Sequence, residues 1–540
     1  MTEPEIRTAV VMVHGMGEQV PLETVNQFVK TALPRTGEPP TRQYFSRPDV
    51  VSGSYEARKL AAYAQPVVPT AEHPRVHDRF DFYEYHWSYK MTGNRLGDFL
   101  PTLWRLLWRR PSTRPKGLRV IWLIAWGIIL ILFALFVWFL LARTAGQEVN
   151  AAGVIGFILG VVIGLPAAAF LASVVMWVLK LLGNTVTTYF VDVVRYLDNS
   201  PRSYAVRRDI RDGMVSLLRG IHESGKYQRV VVVAHSLGGY IAYDGLTSLW
   251  AEYHTAHSGP IQDDDEPAPK LGGREEVQKA GRALRDAAAK YNWAEKPPEL
   301  VETVPADVRV LIDAYRDTQF AFWQGLRAQG SPWLITDFIT LGTPMYFADL
   351  LYTRKRSQFL ELVHRAELPV CPPIPRSQMV EKTAVPQREA YCSKELGRWV
   401  PYHAAPFAAV RWTNLYFPAE KGFWGDWFGG PLRGLFGPGV LDIPVMGNVG
   451  GHAPAHGPKD GYSHGMKRRS TPGAAHGFYF SFAEEDSGPG PDGQPIDIAP
   501  LLRRYIGLTM EDELRRMLPL PTALGATYPV PREDAPTGTP

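Results

Sequence analysis

The sequence predicts an α/β protein with a mostly parallel central sheet, interrupted by an inserted two-helix transmembrane hairpin. Two observations predict the α/β part. Short apolar runs alternate with longer stretches of helical periodicity, and the runs are apolar on both faces, as in strands covered from both sides. A third observation predicts the hairpin: two long runs carry no charge at all.

The elements follow in chain order. Ala9–Val13 reads as a buried strand ending at His14-Gly15-Met16-Gly17. Arg79–Trp87 is an aromatic-rich strand. Val120–Ala142 has 23 residues without charge, and Ala151–Leu179 has 29. About 20 apolar residues in a helix cross a bilayer core, so both are expected to span. Their linker, Arg143–Asn150, suits an antiparallel hairpin. Gly156, Gly160 and Gly164 share one face of the second helix, which reads equally as a face for close approach of a neighbouring helix or as the ordinary glycine content of membrane helices. Arg105, Arg109, Arg110, Arg114, Lys116 and Arg119 precede the first run without an acid among them. The positive-inside rule then puts both long flanks in the cytoplasm. Neither run lies near Met1, so neither reads as a signal peptide.

Beyond the hairpin, Val230–Ala234, Leu334–Leu341 and Ala408–Phe417 read as strands. Arg202–Glu223, Leu237–Trp250 and Asp307–Arg327 read as helices. The expected organisation is an N-terminal part over 1–100, the hairpin over 118–182 and a central part over 185–260. A polar insertion follows over 261–305, with a helix near Glu275–Tyr291. A C-terminal part covers 306–510, and a proline-rich tail covers 519–540.

Composition narrows the function. A net charge of +4 over 540 residues gives no concentrated basic face, so no nucleic-acid partner is expected. Two cysteines, Cys371 and Cys392, cannot build a disulfide framework and are not spaced as a zinc site. His452, His456 and His464 with Asp460 match no compact metal motif. No cofactor or metal is expected.

The chemistry concentrates at Val230–Asp244. A strand of four valines runs into Ala234-His235-Ser236-Leu237-Gly238 and then into a helix. A sharp strand-to-helix turn lifts a serine oxygen above the sheet edge, and small residues two positions to each side let the backbone pack that tightly. Ala234 stands where the usual G-x-S-x-G pattern has its first glycine. The backbone N–H of Leu237 would lie at a helix N-terminus, suited to an oxyanion. The loop after Val13 is a second source of oxyanion donors, with Met16 the first choice. His14 reads as structural.

On these motifs the chain resembles the α/β-hydrolase superfamily in its serine lipase and esterase branch. It is similar to lipases with an A-H-S-L-G-G elbow and a following L-G-T-P strand end, here Ala234–Gly239 and Leu341–Pro344. The order of motifs also resembles the membrane-bound GPI inositol-deacylase group. The resemblance implies an α/β-hydrolase fold and a Ser–His–acid triad. It implies a chain order of serine, acid, histidine. An N-x-Y-x-x-x-D stretch in similar hydrolases puts the acid at Glu420, with Asp426 the alternative and Asp442 third. Among the late histidines His476, before an aromatic segment, is the expected base, and His464 is the alternative. The expected function is a membrane-anchored serine hydrolase of lipid or acyl esters, with membrane lipids or an acyl ester as partner. A catalytically inactive scaffold and a tethered thioesterase or peptidase remain open. The aromatic loop Gly422–Phe428 reads equally as an interfacial anchor or as lid or core packing.

Overall fold

The structure is a computed structural model. It describes residues 6–16, 20–33, 44–51, 58–63, 78–91, scattered positions between 108 and 197, 201–254, 270–291, 304–353, 355–374, 376–380, 383–387, 389–393, 398–418, 425–445, 474–477, 479–480 and 498–508.

Strand β1 (Arg7–Val13) is followed by helix α1 (Glu23–Ala32), then β2 (Phe45–Pro48), β3 (Arg58–Tyr63) and β4 (Arg79–Tyr85). Helix α2 (Pro201–Glu223), β5 (Arg229–His235) and α3 (Gly238–Tyr253) form the centre. Two long helices, α4 (Arg274–Lys290) and α5 (Ala306–Ala328), lead to β6 (Ile335–Leu341) and α6 (Arg356–His364). Two small hairpins, β7 (Arg376–Val380) with β8 (Thr383–Gln387) and β9 (Ala390–Ser393) with β10 (Arg398–Pro401), precede β11 (Arg411–Tyr416). Strand β12 (Leu441–Pro444) and helix α7 (Ile498–Ile506) complete the core.

Eight strands form one sheet in the order β12-β11-β6-β5-β1-β4-β3-β2. The neighbours from β12 to β4 all pair in parallel, and β3 and β2 add an antiparallel edge. The α/β class and the mostly parallel sheet are therefore as expected. The five strand readings fall on β1, β4, β5, β6 and β11. Strands β2, β3 and β12 escaped: β2 and β12 are short and carry proline, all of β2 is exposed, and β3 opens on two charged residues.

Side-chain alternation explains why both faces are covered. Val10 and Met12 of β1 and Val231 and Val233 of β5 pack with α1 and α7 on one face. Val11 and Val13 with Val230 and Val232 pack with α2, α3 and α5 on the other. Each buried valine contributes about 1.5–3 kcal/mol over its exposed form, which is why the run is apolar throughout. Helix α4, expected within the polar insertion, lies against α5: a β-carbon on Gly325 would lie 2.0 Å from the Gly272 carbonyl oxygen.

The transmembrane hairpin is corrected. Among the described residues no helix is long and apolar enough to cross a membrane. The runs Val120–Ala142 and Ala151–Leu179 fall almost wholly outside the described residues. Apolar composition permits a span, but a span needs about 20 such residues in one continuous helix. The membrane placement and the cytoplasmic side rested on that hairpin and fall with it.

Chain connections leave the sheet in opposite directions from β1 and β5. After β1 the chain goes to the β4 side, and after β5 to the β6 side. Such a reversal opens a crevice at the carboxyl ends of the two strands, where open α/β sheets bind their ligands.

One buried carboxyl near this edge caps α1. Glu84, in β4, accepts the Leu22 N–H and, at 3.4 Å, the Val25 N–H. Burial pushes its pKa from 4.5 up to about 7, against the pull of those two bonds. The unfolded chain therefore releases this proton first. Folding takes up a proton between the two values, and stability falls as pH rises from about 4.5 to about 7. We expect urea melts of the parent to lose roughly 2–3 kcal/mol from this group across that window. Glu84→Gln keeps an accepting oxygen and should flatten the loss. Equal pH profiles for parent and variant would rule the assignment out.

Candidate active site

The carboxyl ends of β1, β5, β6 and β11 supply the site. Paired positions in the register show that these ends are level: Val13 faces Ala234, His235 faces Leu341, and Leu341 faces Leu415.

Ser236 follows β5 directly and has a φ of 54°. A side chain is rarely held in this left-handed region, at a cost of order 1–3 kcal/mol. The surroundings enforce it. The Ser236 N–H donates to the Leu341 carbonyl at 2.9 Å, and the Ser236 carbonyl accepts the Gly239 N–H at 3.0 Å. A β-carbon on Gly238 would lie 2.4 Å from the Val13 carbonyl oxygen, so α3 can start against β1 only with glycine there. Ala234, in place of the usual glycine, is wholly buried and fits.

His476 sits in a short 3-10 turn, Ala474–Gly477. Its Nε2 lies 2.8 Å from the Ser236 Oγ. Its Nδ1 lies 3.1 Å from each oxygen of Asp426. An ionised carboxylate only accepts, so Nδ1 carries the hydrogen and Nε2 is left to accept the Ser236 hydroxyl. Three residues 190 and 50 positions apart in the chain thus form one line of hydrogen bonds.

Asp426 is completely buried. Oδ1 also accepts the Phe428 N–H at 2.8 Å, and Oδ2 the Tyr479 hydroxyl at 2.8 Å. Burial alone would raise its pKa. The adjoining His476 ring and the bonds from His476, Phe428 and Tyr479 outweigh burial and hold the carboxyl below the usual range. Two glycines make room for it: a β-carbon on Gly342 would lie 2.8 Å from Asp426 Oδ2, and one on Gly429 2.6 Å. Gly342 has a φ of 53°, and its Leu341–Pro344 segment also packs on α3 through Thr343 beside Gly239. The L-G-T-P strand end therefore lies between α3, which follows Ser236, and Asp426.

Of the expected site residues, Ser236, His476 and the alternative acid Asp426 come together. Glu420 and the alternative base His464 lie outside the described residues, as do His452, His456 and Asp460. The acid position on His476 is filled by Asp426. Asp442 is engaged elsewhere: it accepts from Asn414, from the Leu432 and Arg433 backbone, and from the Arg433 side chain. Trp427 and Phe428 are each only 1% exposed. Their part of the aromatic loop is core packing around the acid, with the Phe428 ring edge-on to His476 at 5.0 Å.

Leu237 is buried at the N-terminus of α3 with helical dihedrals. Met16 is buried at the end of the β1 loop. That loop crosses Ser236: a β-carbon on Gly15 would lie 2.9 Å from the Ser236 Cβ. His14 is structural. Its Nε2 accepts the Trp87 N–H at 3.2 Å, so Nδ1–H donates to the Gly15 carbonyl at 2.8 Å. Burial drives its pKa down to about 3.

Sequence reasoning missed His235 and Tyr479. Tyr479 links Asp426 to the Phe417 N–H, which its oxygen accepts at 3.0 Å. The legible signal for Asp426 was its setting among Gly425, Trp427, Phe428, Gly429 and Gly430, a composition that suits tight packing better than an open loop.

The chain matches no protein-family model, no curated protein and no solved structure.

Proposed function

We propose that this chain is a serine hydrolase of the α/β-hydrolase kind, cleaving carboxylic acyl esters through an acyl-enzyme. The observation that carries the reading is the line Ser236–His476–Asp426, with contacts of 2.8 and 3.1 Å. The chain order of serine, aspartate and histidine, on a strand-turn-helix elbow, supports the same family.

The Ser236 oxygen attacks the ester carbonyl as its proton passes to His476 Nε2. Asp426 keeps the imidazole in the tautomer that can accept this proton and stabilises the imidazolium. The amides of Leu237 and Met16 are the proposed donors to the oxyanion, aided by the positive end of α3. Collapse breaks the ester C–O bond, and the leaving alcohol takes the proton from Nε2. Water then attacks the acyl-enzyme, giving its proton to Nε2, and Ser236 regains it as the carboxylic acid departs.

The test is covalent labelling. A fluorophosphonate probe should attach once, and peptide mass mapping should locate it on Ser236. An unlabelled protein, or an adduct elsewhere, would sink the reading. Nitrophenyl esters of graded acyl length, with matching thioesters and anilides, then assign the substrate class. Preference for the thioester or anilide would move the reading to a thioesterase or peptidase.

A further inference from the structure

We propose that His235 is a positioning residue that latches the turn carrying His476 onto the nucleophile's strand. The inference rests on the serine-hydrolase reading and adds a residue to its site.

His235 is the last residue of β5, next to Ser236, where three pieces of the site converge. Its Nε2 lies 3.1 Å from the backbone carbonyl oxygen of His476. That oxygen only accepts, so Nε2 carries the hydrogen and donates it. Its other ring nitrogen faces the β1 loop, where a β-carbon on Gly15 would come within 2.8 Å. The ring also packs on Tyr479 and Phe480, with centroids 5.4 and 5.3 Å away. One imidazole therefore joins the elbow, the oxyanion loop and the turn of the base.

The ring is suited to this. Burial and the neighbouring His476 hold its pKa down to about 3. It is neutral at working pH, keeps its Nε2 hydrogen and adds no positive charge beside the base. The bond matters because elements far away in the chain hold this turn. Thr31 Oγ1 donates to the Phe480 carbonyl at 2.9 Å, and Tyr479 reaches Asp426. Only the His235 bond falls on the catalytic histidine's own backbone among these.

Geometry supplies matched variants. A glutamine amide nitrogen reaches about as far as histidine Nε2, whereas an asparagine amide stops near Nδ1. We expect His235→Asn to lower kcat roughly 10- to 100-fold with KM nearly unchanged, because a misplaced general base loses catalysis and not substrate binding. His235→Gln should recover most of that loss. Fluorophosphonate labelling should slow in parallel. Crystal structures of both variants give a readout independent of turnover: the Ser236–His476 contact should lengthen past hydrogen-bond reach in His235→Asn and persist in His235→Gln. An unchanged contact and kcat in His235→Asn overturns the latch, as does equal impairment in both folded variants. Absence of labelling in the parent overturns the hydrolase reading instead, and the two crystal structures then still decide the latch. If His235→Asn does not fold, His235→Gln carries the test, and a lengthened contact there counts against the proposal.

Discussion

Replacing Asp426 by asparagine is expected to lower kcat by about 10⁴-fold, the loss seen when a triad acid is made neutral. Asp426 presents accepting oxygens to His476 Nδ1, and this leaves Nε2 bare toward Ser236. Asparagine keeps the volume but offers an N–H on one side. The imidazole can then turn its tautomer, putting a hydrogen on Nε2 where the serine proton must go. KM should change little, since the carboxylate is fully buried behind the ring and out of reach of substrate. Glu420→Gln is the paired control, expected to leave kcat within about twofold. A large loss in Glu420→Gln with an active Asp426→Asn would reverse the acid assignment.

The second large effect falls on stability, at the other end of β6. Asp337 Oδ2 accepts from Arg229 Nη2 at 2.6 Å, from Arg411 Nη2 at 2.8 Å and from Thr336 Oγ1 at 2.7 Å. The Arg229 and Asp337 side chains are 3% and 2% exposed. Asp337→Ala leaves a buried guanidinium without its counter-charge and should cost about 3–5 kcal/mol. Burial opposes ionisation of Asp337, but Arg411 and Arg229 overcome it and hold its pKa far below the usual carboxylate range. Its folded value is depressed, so its contribution is complete above the unfolded value of about 4. It is lost as pH falls below that toward the folded value. Urea melts at neutral and acid pH measure both statements. A neutral-pH difference under about 1 kcal/mol would refute the first, and a variant whose stability drops as steeply in acid as the parent's would refute the second. Asp337 lies four residues before Leu341, roughly 13 Å along the strand, so labelling of folded variant should be unchanged.

Much of the site was legible because its signals are local. The elbow is contiguous: four valines, a small residue, serine and two glycines specify strand, turn and helix without distant help. His476 was legible for a related reason, standing directly before an aromatic segment that the core must bury. The acid was not. Asn414 and Tyr416 lie in β11, and counting onward leads to Glu420, but it is Asp426, its N–H directed at the Phe417 carbonyl, that lies against the ring. Spacing along a loop does not determine which carboxylate arrives. Packing against Gly342, Gly429 and Tyr479 does.

The hairpin is the opposite case. A charge-free run is a statement about composition, and it led to a membrane span that no described helix provides. By itself the sequence determined the α/β class and the strand-turn-helix elbow at Ser236, and it singled out His476, because periodicity, turn chemistry and apolar runs act over a few neighbouring residues. Tertiary structure alone brought Asp426 to His476, His235 to the His476 backbone and Asp337 to two arginines. Each depends on groups dozens to hundreds of residues apart, brought within about 3.1 Å only when the chain has folded.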